Sequence, residues 1–301
     1  MNRYLWVWST DKIIENPIQT LNECKETSIN NLILYTPPTL WQEPTQKLRA
    51  FIAKSSENGI RVWGMDGYRG YLEDTDGPSE LYAAVDGLIA YNANVQENEK
   101  FVGFSTDVEP ADQAGNENLL QTFHNGVPQS KLDKESKGNW KESQYLDRQC
   151  LMQSWLGIHK ELKDKLHQYN LLLSVALPTW LDDYCGEPIT TFYNNCDICV
   201  VEHFFDLSDE IIFMSYNTNP HNVIHRLQGK LKLAPTNGLK IMAAMETIKG
   251  VDEYVSYADT PNKNNRNALL HDLAVIEKEL QQYPAFGGIA IHDYNGLTEL
   301  K

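Results

Sequence analysis

The stretch Phe101-Val-Gly-Phe-Ser-Thr-Asp107 is a short apolar run that ends on a carboxylate. It predicts a β-strand of the kind that is repeated along the whole sequence. An apolar run, a polar turn and a helical pattern recur in this order eight times along the 301 residues. Such alternation is typical of βα units on a parallel sheet whose two faces are both buried. The predicted strands are Tyr4–Ser9, Asn31–Thr36, Ile60–Asp66, Phe101–Asp107, Leu171–Pro178, Ile211–Asn217, Lys240–Glu246 and Phe286–His292.

Eight βα units predict an α/β protein with a single (β/α)8 TIM barrel that occupies residues 1–301 as one domain. Helix signals between the strands agree, since Asn16-Pro17 places an N-cap residue before a proline at the first helical position. An open doubly wound sheet is the alternative, but no Gly-rich phosphate loop follows the first predicted strand.

The segment 111–144 interrupts this rhythm, because it is polar, weakly periodic and rich in Asn, Gln, Lys and Gly. It predicts a long insertion after the fourth strand, on the side of the barrel where active sites lie. A lid, an interface and a surface loop are all compatible with this composition.

The net charge of −15 argues against a nucleic-acid partner, because binders of nucleic acid concentrate Lys and Arg against phosphate. It also argues against an anionic membrane surface, and no run approaches the roughly 20 apolar residues of a transmembrane helix. The five cysteines do not suggest a disulfide framework. Without a recognisable secretory signal, we expect a cytoplasmic protein, unless a signal has been removed.

Candidate catalytic residues follow from the rule that active sites of these barrels lie at the C-terminal ends of the strands. Side chains alternate along a strand, so Ser105, Asp107 and Glu109 share one face while Val108 points towards the helices. Two crowded carboxyl groups push their pKa values apart, which suits one to act as an acid while the other stays ionised. A helix cap or a surface ion pair is the structural alternative for such residues.

A further carboxyl group, Glu246, ends the seventh predicted strand. Glycoside hydrolysis uses two carboxyl groups across one bond, separated by roughly 5–5.5 Å for retention and 6.5–9.5 Å for inversion. Glu109 and Glu246 come from strands three apart, so we expect them to face each other across the mouth. Glu109, Glu246 and Asp107 are therefore the predicted catalytic residues.

The other strand ends are polar and aromatic, as a carbohydrate cleft requires for stacking on sugar rings and for bonding to hydroxyl groups. Trp6 and Trp63 are instead expected to fill the core. The predicted substrate-binding residues are Trp8, Tyr35, Asp66, Trp180, Tyr216, Asn217, His292, Asp293 and Tyr294.

The segment Phe104-Ser-Thr-Asp107-Val-Glu109 resembles the end of the D-x-x-D-x-D-x-E motif of family 18 glycoside hydrolases, the chitinases and their relatives. The resemblance continues in Leu172–Pro178, Met214–Asn217 and Phe286–Ile289, on the fifth, sixth and eighth strands. It implies a chitinase-like barrel in which Glu109 is the general acid, Asp107 its partner and Tyr216 a substrate contact.

Several positions depart from that family. Val102 and Ser105 stand at the earlier Asp positions of the motif, and His292 replaces an aromatic residue on the eighth strand. The run Val108-Glu109-Pro110, together with Glu246, also resembles clan A glycosidases, which use Asn-Glu-Pro on strand four and a Glu nucleophile on strand seven. The whole combination is most similar to a group of uncharacterised bacterial glycosidase-like barrels.

Two cysteine and histidine motifs do not predict a metal. Cys196-Asp-Ile-Cys199 lacks the second C-x-x-C of a zinc site, and the run from His221 to His225 lacks the glutamate of H-E-x-x-H. We predict no metal and no cofactor, and we expect both histidines to lie on the surface.

The sequence therefore predicts a glycoside hydrolase, or a hydrolase-like protein, that acts on a carbohydrate by carboxylate acid/base chemistry. Glu109 would protonate the leaving oxygen, and either Glu246 would attack or Asp107 would support attack by a group of the substrate. One alternative is a carbohydrate-binding barrel that has lost hydrolysis. Another is a lyase, or a different barrel enzyme, with a glutamate and His292 as acid and base. The sugar, the linkage and the oligomeric state stay open.

Overall fold

The computed structural model describes residues 1–42, 45–67, 69–72, 78–109, 145–183, 188–236 and 238–300. Its centre is a closed barrel of eight parallel strands, which confirms the predicted TIM barrel. The barrel strands are β1 (Asn2–Val7), β2 (Asn31–Tyr35), β3 (Arg61–Asp66), β4 (Gly103–Thr106), β5 (Leu172–Pro178), β8 (Glu210–Met214), β9 (Lys240–Glu246) and β10 (Phe286–His292). Around the barrel they follow the order β1-β10-β9-β8-β5-β4-β3-β2.

Helices surround the barrel and cover its outer face. Asn16 precedes Pro17, the first residue of the second helix, as the sequence predicts, although no side-chain hydrogen bond forms at this cap. The helices are α1 (Thr10–Glu15), α2 (Pro17–Thr27), α3 (Gln46–Glu57), α4 (Ser79–Asn92), α5 (Tyr145–Gln168), α6 (Val200–Leu207), α7 (Pro220–Leu233), α8 (Arg266–Leu280) and α9 (Tyr294–Glu299). Within the described ranges, none of them combines the length and the apolarity needed to cross a bilayer.

The alternation of side chains along each strand divides the apolar residues into two cores. On β1, Leu5 and Val7 face the helices, while Tyr4 and Trp6 fill the interior of the barrel. Trp63 is also interior, so the expectation that Trp6 and Trp63 belong to the core is confirmed. The interior core consists of Tyr4, Trp6, Ile33, Trp63, Met65, Ala176, Ile212, Met242, Ala244 and Ala290.

A small hairpin outside the barrel was not predicted. It pairs β6 (Thr190–Tyr193) with β7 (Cys196–Cys199) in antiparallel fashion, so the C-x-x-C motif lies on a strand. Asn194 and Asn195 join the strands with positive φ angles of 49° and 65°. Two residues with positive φ are typical of the tight turn whose twist matches a hairpin, and Asn tolerates this conformation. The Asn-Asn pair was the missed signal.

The chain passes from β4, which ends at Thr106, to α5, which begins at Tyr145, so a long insertion follows the fourth strand as predicted. Residues 110–144 lie outside the described ranges, and the three roles considered for 111–144 stay predictions. His221 and His225 are exposed on α7, as expected.

The N-terminal end of the barrel contains a buried polar cluster. Glu210, which begins β8 and is 5% exposed, accepts a hydrogen bond of 3.0 Å from the hydroxyl of Tyr4. Arg61 reaches the same hydroxyl at 3.5 Å and lies 5.9 Å above the ring of Trp63. Burial raises the pKa of Glu210 to about 7, although Tyr4 and Arg61 act in the opposite direction. A carboxyl group of this kind holds its proton to near neutral pH.

Candidate active site

The end of β4 presents two carboxyl groups to the opposite end of the barrel, the mouth. Thr106 contacts His159 of α5 at 2.9 Å, and Val108 is buried in the helix-side core, so both point outwards. Asp107 and Glu109 have the opposite parity and therefore face the interior, as the sequence predicts. The backbone N–H of Asp107 donates to Asp66 at 3.2 Å, which keeps this segment attached to β3 beyond the end of β4.

Tyr216, two residues after β8, marks the point where the carboxyl groups converge. Burial raises the pKa of its hydroxyl, and the negative charges of Glu246, Asp107, Glu109 and Asp293 raise it further. These groups come from the ends of β4, β9 and β10, so the barrel itself brings them together. A phenol with a raised pKa stays protonated, so its hydroxyl is able to donate a hydrogen bond.

Glu246 is more enclosed than a nucleophile requires, since only 3% of the residue is exposed. Its Oε1 accepts the backbone N–H groups of Thr247 at 2.8 Å and Ile248 at 2.9 Å. His292 Nδ1 lies 2.9 Å from its Oε2. Its lone pairs are thus directed at fixed donors of the protein, and this arrangement weighs against direct attack on a sugar. Its catalytic role stays a prediction.

An aromatic wall closes one side of the mouth. The rings of Trp8 and Tyr35 are 5.8 Å apart, and His292 lies 6.0 Å from both Trp8 and Tyr216. A groove of about 760 Å³ continues from Trp8 and Tyr35 across the loops that follow β1 and β2. Flat rings beside a groove of this volume suit the stacking of a ligand with apolar faces.

Other predicted substrate-binding residues lie outside this wall. Asp66 is 2% exposed and accepts hydrogen bonds from Tyr71 at 3.1 Å and from the N–H of Gly67 at 2.8 Å. Burial raises the pKa of Asp66 to about 6, and these two bonds partly offset that effect. It follows Met65, an interior residue, so its parity directs it outwards. Asp66 therefore supports the loop after β3, and its role in substrate binding stays a prediction.

Asn217 and Asp293 lie beyond the ends of β8 and β10 and bond to the backbone. Asn217 accepts the N–H of Asn219 at 2.9 Å, and Asp293 caps α9 by accepting the N–H of Gly296 at 2.9 Å. Asp293 nevertheless lies close enough to Tyr216 for its charge to act on the hydroxyl. These residues shape the rim of the mouth through the backbone.

Trp180 and Tyr294 pack against the helix-side core. The hydroxyl of Tyr294 accepts a hydrogen bond of 3.3 Å from Thr20 on α2. This contact places Tyr294 on the outer layer of the barrel. The structure therefore brings Trp8, Tyr35, Asp107, Glu109, Tyr216, Glu246 and His292 together at the mouth, and it separates Tyr294 from them.

Two structural residues of the site were missed in the sequence. A Cβ atom on Gly67 would lie 2.6 Å from the Cβ of Asp107 and would overlap its carbonyl oxygen, so only glycine fits beside this carboxyl group. Thr247 Oγ1 donates to the carbonyl of His292 at 2.9 Å and accepts the N–H of Asp293 at 3.0 Å, which ties the ends of β9 and β10 together. The sequence signal for both residues is their position directly after a carboxylate that ends a strand: Gly67 follows Asp66, and Thr247 follows Glu246.

Solved structures with a similar fold include several glycosidases. It resembles a family 18 (GH18) chitinase from Pseudoalteromonas aurantia with a TM-score of 0.55 and 14% identity, over 98% of this chain and 96% of the other. It also resembles a GH18 chitinase from Cycas revoluta in complex with (GlcNAc)3, with a TM-score of 0.54 and 10% identity over 98% of this chain and 96% of the other. The catalytic domain of a β-amylase from Paenibacillus polymyxa has a TM-score of 0.52 and 8% identity, over 98% of this chain and 93% of the other.

Neither a protein-family model nor a curated protein matches the sequence. At 8–14% identity the three structural similarities concern the fold alone. The resemblance to glycoside-hydrolase-like TIM barrels, and to GH18 chitinases among them, is thus a property of the whole architecture.

Proposed function

We propose that this protein is a glycosidase that acts on a carbohydrate at the mouth of the barrel, with Glu109 as general acid and Asp107 as its partner. The observation that carries the proposal is that the charges of Asp107, Glu109 and Glu246 all act on the hydroxyl of Tyr216, which lies beside an aromatic wall. The chitinase-like fold supports it. N-acetylated sugars are the first substrates to test, because a structural neighbour carries (GlcNAc)3.

In the proposed reaction, Glu109 transfers its proton to the glycosidic oxygen as the bond to the anomeric carbon breaks. In an N-acetylated sugar the acetamido oxygen attacks the anomeric carbon, and Asp107 accepts a hydrogen bond from the acetamido N–H. Water then opens the cyclic intermediate and returns a proton to Glu109. Direct attack by Glu246 is the other route predicted from the sequence, but it would require this carboxylate to leave its three N–H donors.

The experiment measures hydrolysis of chito-oligosaccharides and of aryl N-acetylglucosaminides by the wild type, Glu109→Gln and Glu246→Gln. We expect Glu109→Gln to reduce kcat by at least about 100-fold, within the range of general acid catalysis, while (GlcNAc)3 still binds. Glu97→Gln is the matched control, because the side chain of Glu97 is 90% exposed and lies at the N-terminal side of β4.

Wild-type turnover that survives Glu109→Gln unchanged would overturn the assignment of the acid. A second function, carbohydrate binding without hydrolysis, is favoured by the replacement of the earlier motif Asp by Ser105, which is buried opposite Ser174 in the β4–β5 register. Binding of (GlcNAc)3 by a wild type that turns over none of the substrates would support this second function.

A further inference from the structure

His292, the last residue of β10, lies inside the aromatic wall and connects it to a buried carboxylate. The ring of Trp6 is 5.8 Å from the imidazole, and the rings of Trp8 and Tyr216 are each 6.0 Å from it. Both ring nitrogens have a partner: Trp8 Nε1 is 2.7 Å from Nε2, and Glu246 Oε2 is 2.9 Å from Nδ1. Trp8, His292 and Glu246 thus form a continuous hydrogen-bonded chain.

The chemistry of the indole determines where the proton of the imidazole lies. An indole N–H donates and cannot accept, so Nε2 of His292 must offer its lone pair to Trp8. Nδ1 must then carry the hydrogen and donate it to Glu246. Only the neutral Nδ1–H form of His292 satisfies both contacts.

Backbone N–H groups hold Glu246, the last side chain in this hydrogen-bonded series. Glu246 Oε1 accepts the N–H groups of Thr247 and Ile248, which follow it directly, and the residue is almost completely buried. The carboxylate therefore cannot turn without breaking two backbone hydrogen bonds. It orients the imidazole, and the imidazole in turn orients the indole of Trp8.

The groups that surround His292 act on its protonation in opposite directions. Burial lowers the pKa of His292, but the carboxylates of Glu246 on β9, Asp293 after β10 and Asp107 after β4 more than offset it, so the pKa lies above its usual value. From β1, the indole N–H of Trp8 opposes a second proton, because it occupies the lone pair that the proton needs. Tyr216, after β8, faces the ring as a neutral phenol.

We propose that Glu246 and His292 are positioning residues that fix the indole of Trp8 in the wall of the mouth, and that a proton on His292 Nε2 releases this indole. The proton and the indole compete for one lone pair, so the wall is ordered when His292 is neutral and loosened when it is charged. The effect on carbohydrate binding rests on the proposed function, whereas the competition itself does not.

The test is an NMR titration of the full-length chain with ¹⁵N-labelled histidine and tryptophan between pH 8 and pH 5. Spectra of His292→Gln and Trp8→Phe assign the two signals. At pH 8 we expect Nε2 of His292 to report an unprotonated nitrogen and the indole N–H of Trp8 to report a hydrogen bond. As the pH falls, the indole signal should move with the same midpoint as the imidazole. His221→Gln, at an exposed histidine, is the control and should leave the Trp8 signal unchanged.

Trp8→Phe removes the competitor of the proton, so we expect it to raise the pKa of His292 in the same titration. An Nε2–H tautomer at pH 8, or a His292 midpoint that is the same in wild type and Trp8→Phe, would overturn the proposal. The tautomer at pH 8 and the shared midpoint are read from the wild type, and both variants count only if their spectra show the folded protein.

A parallel titration with (GlcNAc)3 separates this proposal from the proposed function. Affinity that falls at least about tenfold as His292 gains its proton would support release of the indole as the cause. If the sugar binds at no pH while the two NMR signals still move together, the proposed function fails and the positioning role stands. If the sugar binds and its affinity shows no change at the His292 midpoint, the regulatory part of the proposal is wrong.

Discussion

Glu246 ends β9 at the mouth of the barrel, and Glu210 begins β8 at the other end, with exposed fractions of 3% and 5%. Glu246 receives three N–H donors, two from the backbone and one from His292. Glu210 receives one hydroxyl from Tyr4, and within the described ranges its Oε2 has no hydrogen-bond partner. Two glutamates with a similar degree of burial therefore have different surroundings: three N–H donors hold Glu246, whereas burial with few partners raises the pKa of Glu210.

The two ends of the barrel differ in what their buried glutamates hold in place. At the mouth, backbone donors fix a carboxylate and, through it, an aromatic wall. At the N-terminal end, a buried glutamate with a raised pKa and a tyrosine fill the barrel beneath the interior core. This agrees with the general division of such barrels into a C-terminal face for chemistry and an N-terminal face for stability. The following experiments measure how far that division holds.

Removal of the two carboxyl groups should produce the largest contrast. We expect Glu246→Leu to lower the free energy of unfolding by about 3–5 kcal/mol, because it leaves buried N–H groups without an acceptor. For Glu210→Leu we expect a loss of about 1 kcal/mol or less at pH 8, since above its pKa of about 7 the carboxyl group is charged and the substitution also removes the cost of burying that charge. Urea denaturation of both variants measures the difference. Equal losses would show that burial, and not the donor set, governs both sites.

The second contrast concerns pH. The pKa of Glu210 is raised from 4.5 to about 7, so its contribution to stability is fully present below pH 4.5 and is lost as the pH rises through 7. The loss amounts to about 3 kcal/mol, at 1.36 kcal/mol for each pKa unit. Glu210→Gln has no proton to lose, so relative to the wild type it should gain about this free energy between pH 4 and pH 9.

Denaturation curves of wild type and Glu210→Gln at several pH values test this expectation. The exposed control Glu97→Gln should keep the pH profile of the wild type. If the difference in free energy of unfolding between Glu210→Gln and the wild type is independent of pH, then Glu210 is ionised in the folded protein. The contrast between the two ends of the barrel would then be lost.

A glycine at each end provides the third contrast. A Cβ on Gly288, where φ is +143°, would overlap the carbonyl oxygen of Asn2, and a Cβ on Gly67 would crowd Asp107. We expect Gly288→Ala and Gly67→Ala each to cost about 1–3 kcal/mol of stability. Only Gly67→Ala should also weaken carbohydrate binding or turnover, since it displaces a predicted catalytic carboxyl group.

The control for this pair is Gly157→Ala on α5, where a Cβ meets no atom of the described residues within 4 Å. A helical Gly→Ala change at an open site should stabilise the protein by up to about 1 kcal/mol. Carbohydrate binding that is reduced equally by Gly67→Ala and Gly288→Ala would contradict the assignment of the mouth as the site.

The smallest expected effect concerns the cap of α9 at the rim of the mouth. Asp293→Ala removes the acceptor for the N–H of Gly296 and should cost about 1 kcal/mol. Asp293→Asn keeps an acceptor and removes the charge that acts on Tyr216 and His292. Thermal unfolding should therefore distinguish Asp293→Ala from Asp293→Asn. An NMR titration of His292 should show a lowered pKa in both variants, because the carboxylate of Asp293 raises it in the wild type.

Side-chain parity explains most of the agreement between sequence and site. Trp8, Tyr35, Asp107 and Glu246 continue the interior alternation of their strands and lie at the mouth. Asp66 follows the interior residue Met65 and points outwards for the same reason. Its selection as a mouth residue used its place at a strand end and neglected its parity. The alternation in the sequence already indicated this outward direction.

The barrel could be inferred from the amino-acid sequence alone, because eight apolar runs with intervening helical patterns leave few other ways to bury both faces of a parallel sheet. The shared face of Asp107 and Glu109 could also be inferred, since it follows from local alternation. The enclosure of Glu246 by backbone N–H groups, its contact with His292 and the packing of Tyr294 on α2 are visible only in the folded structure. Such contacts join residues far apart in the chain, and their geometry exists only after the barrel has closed.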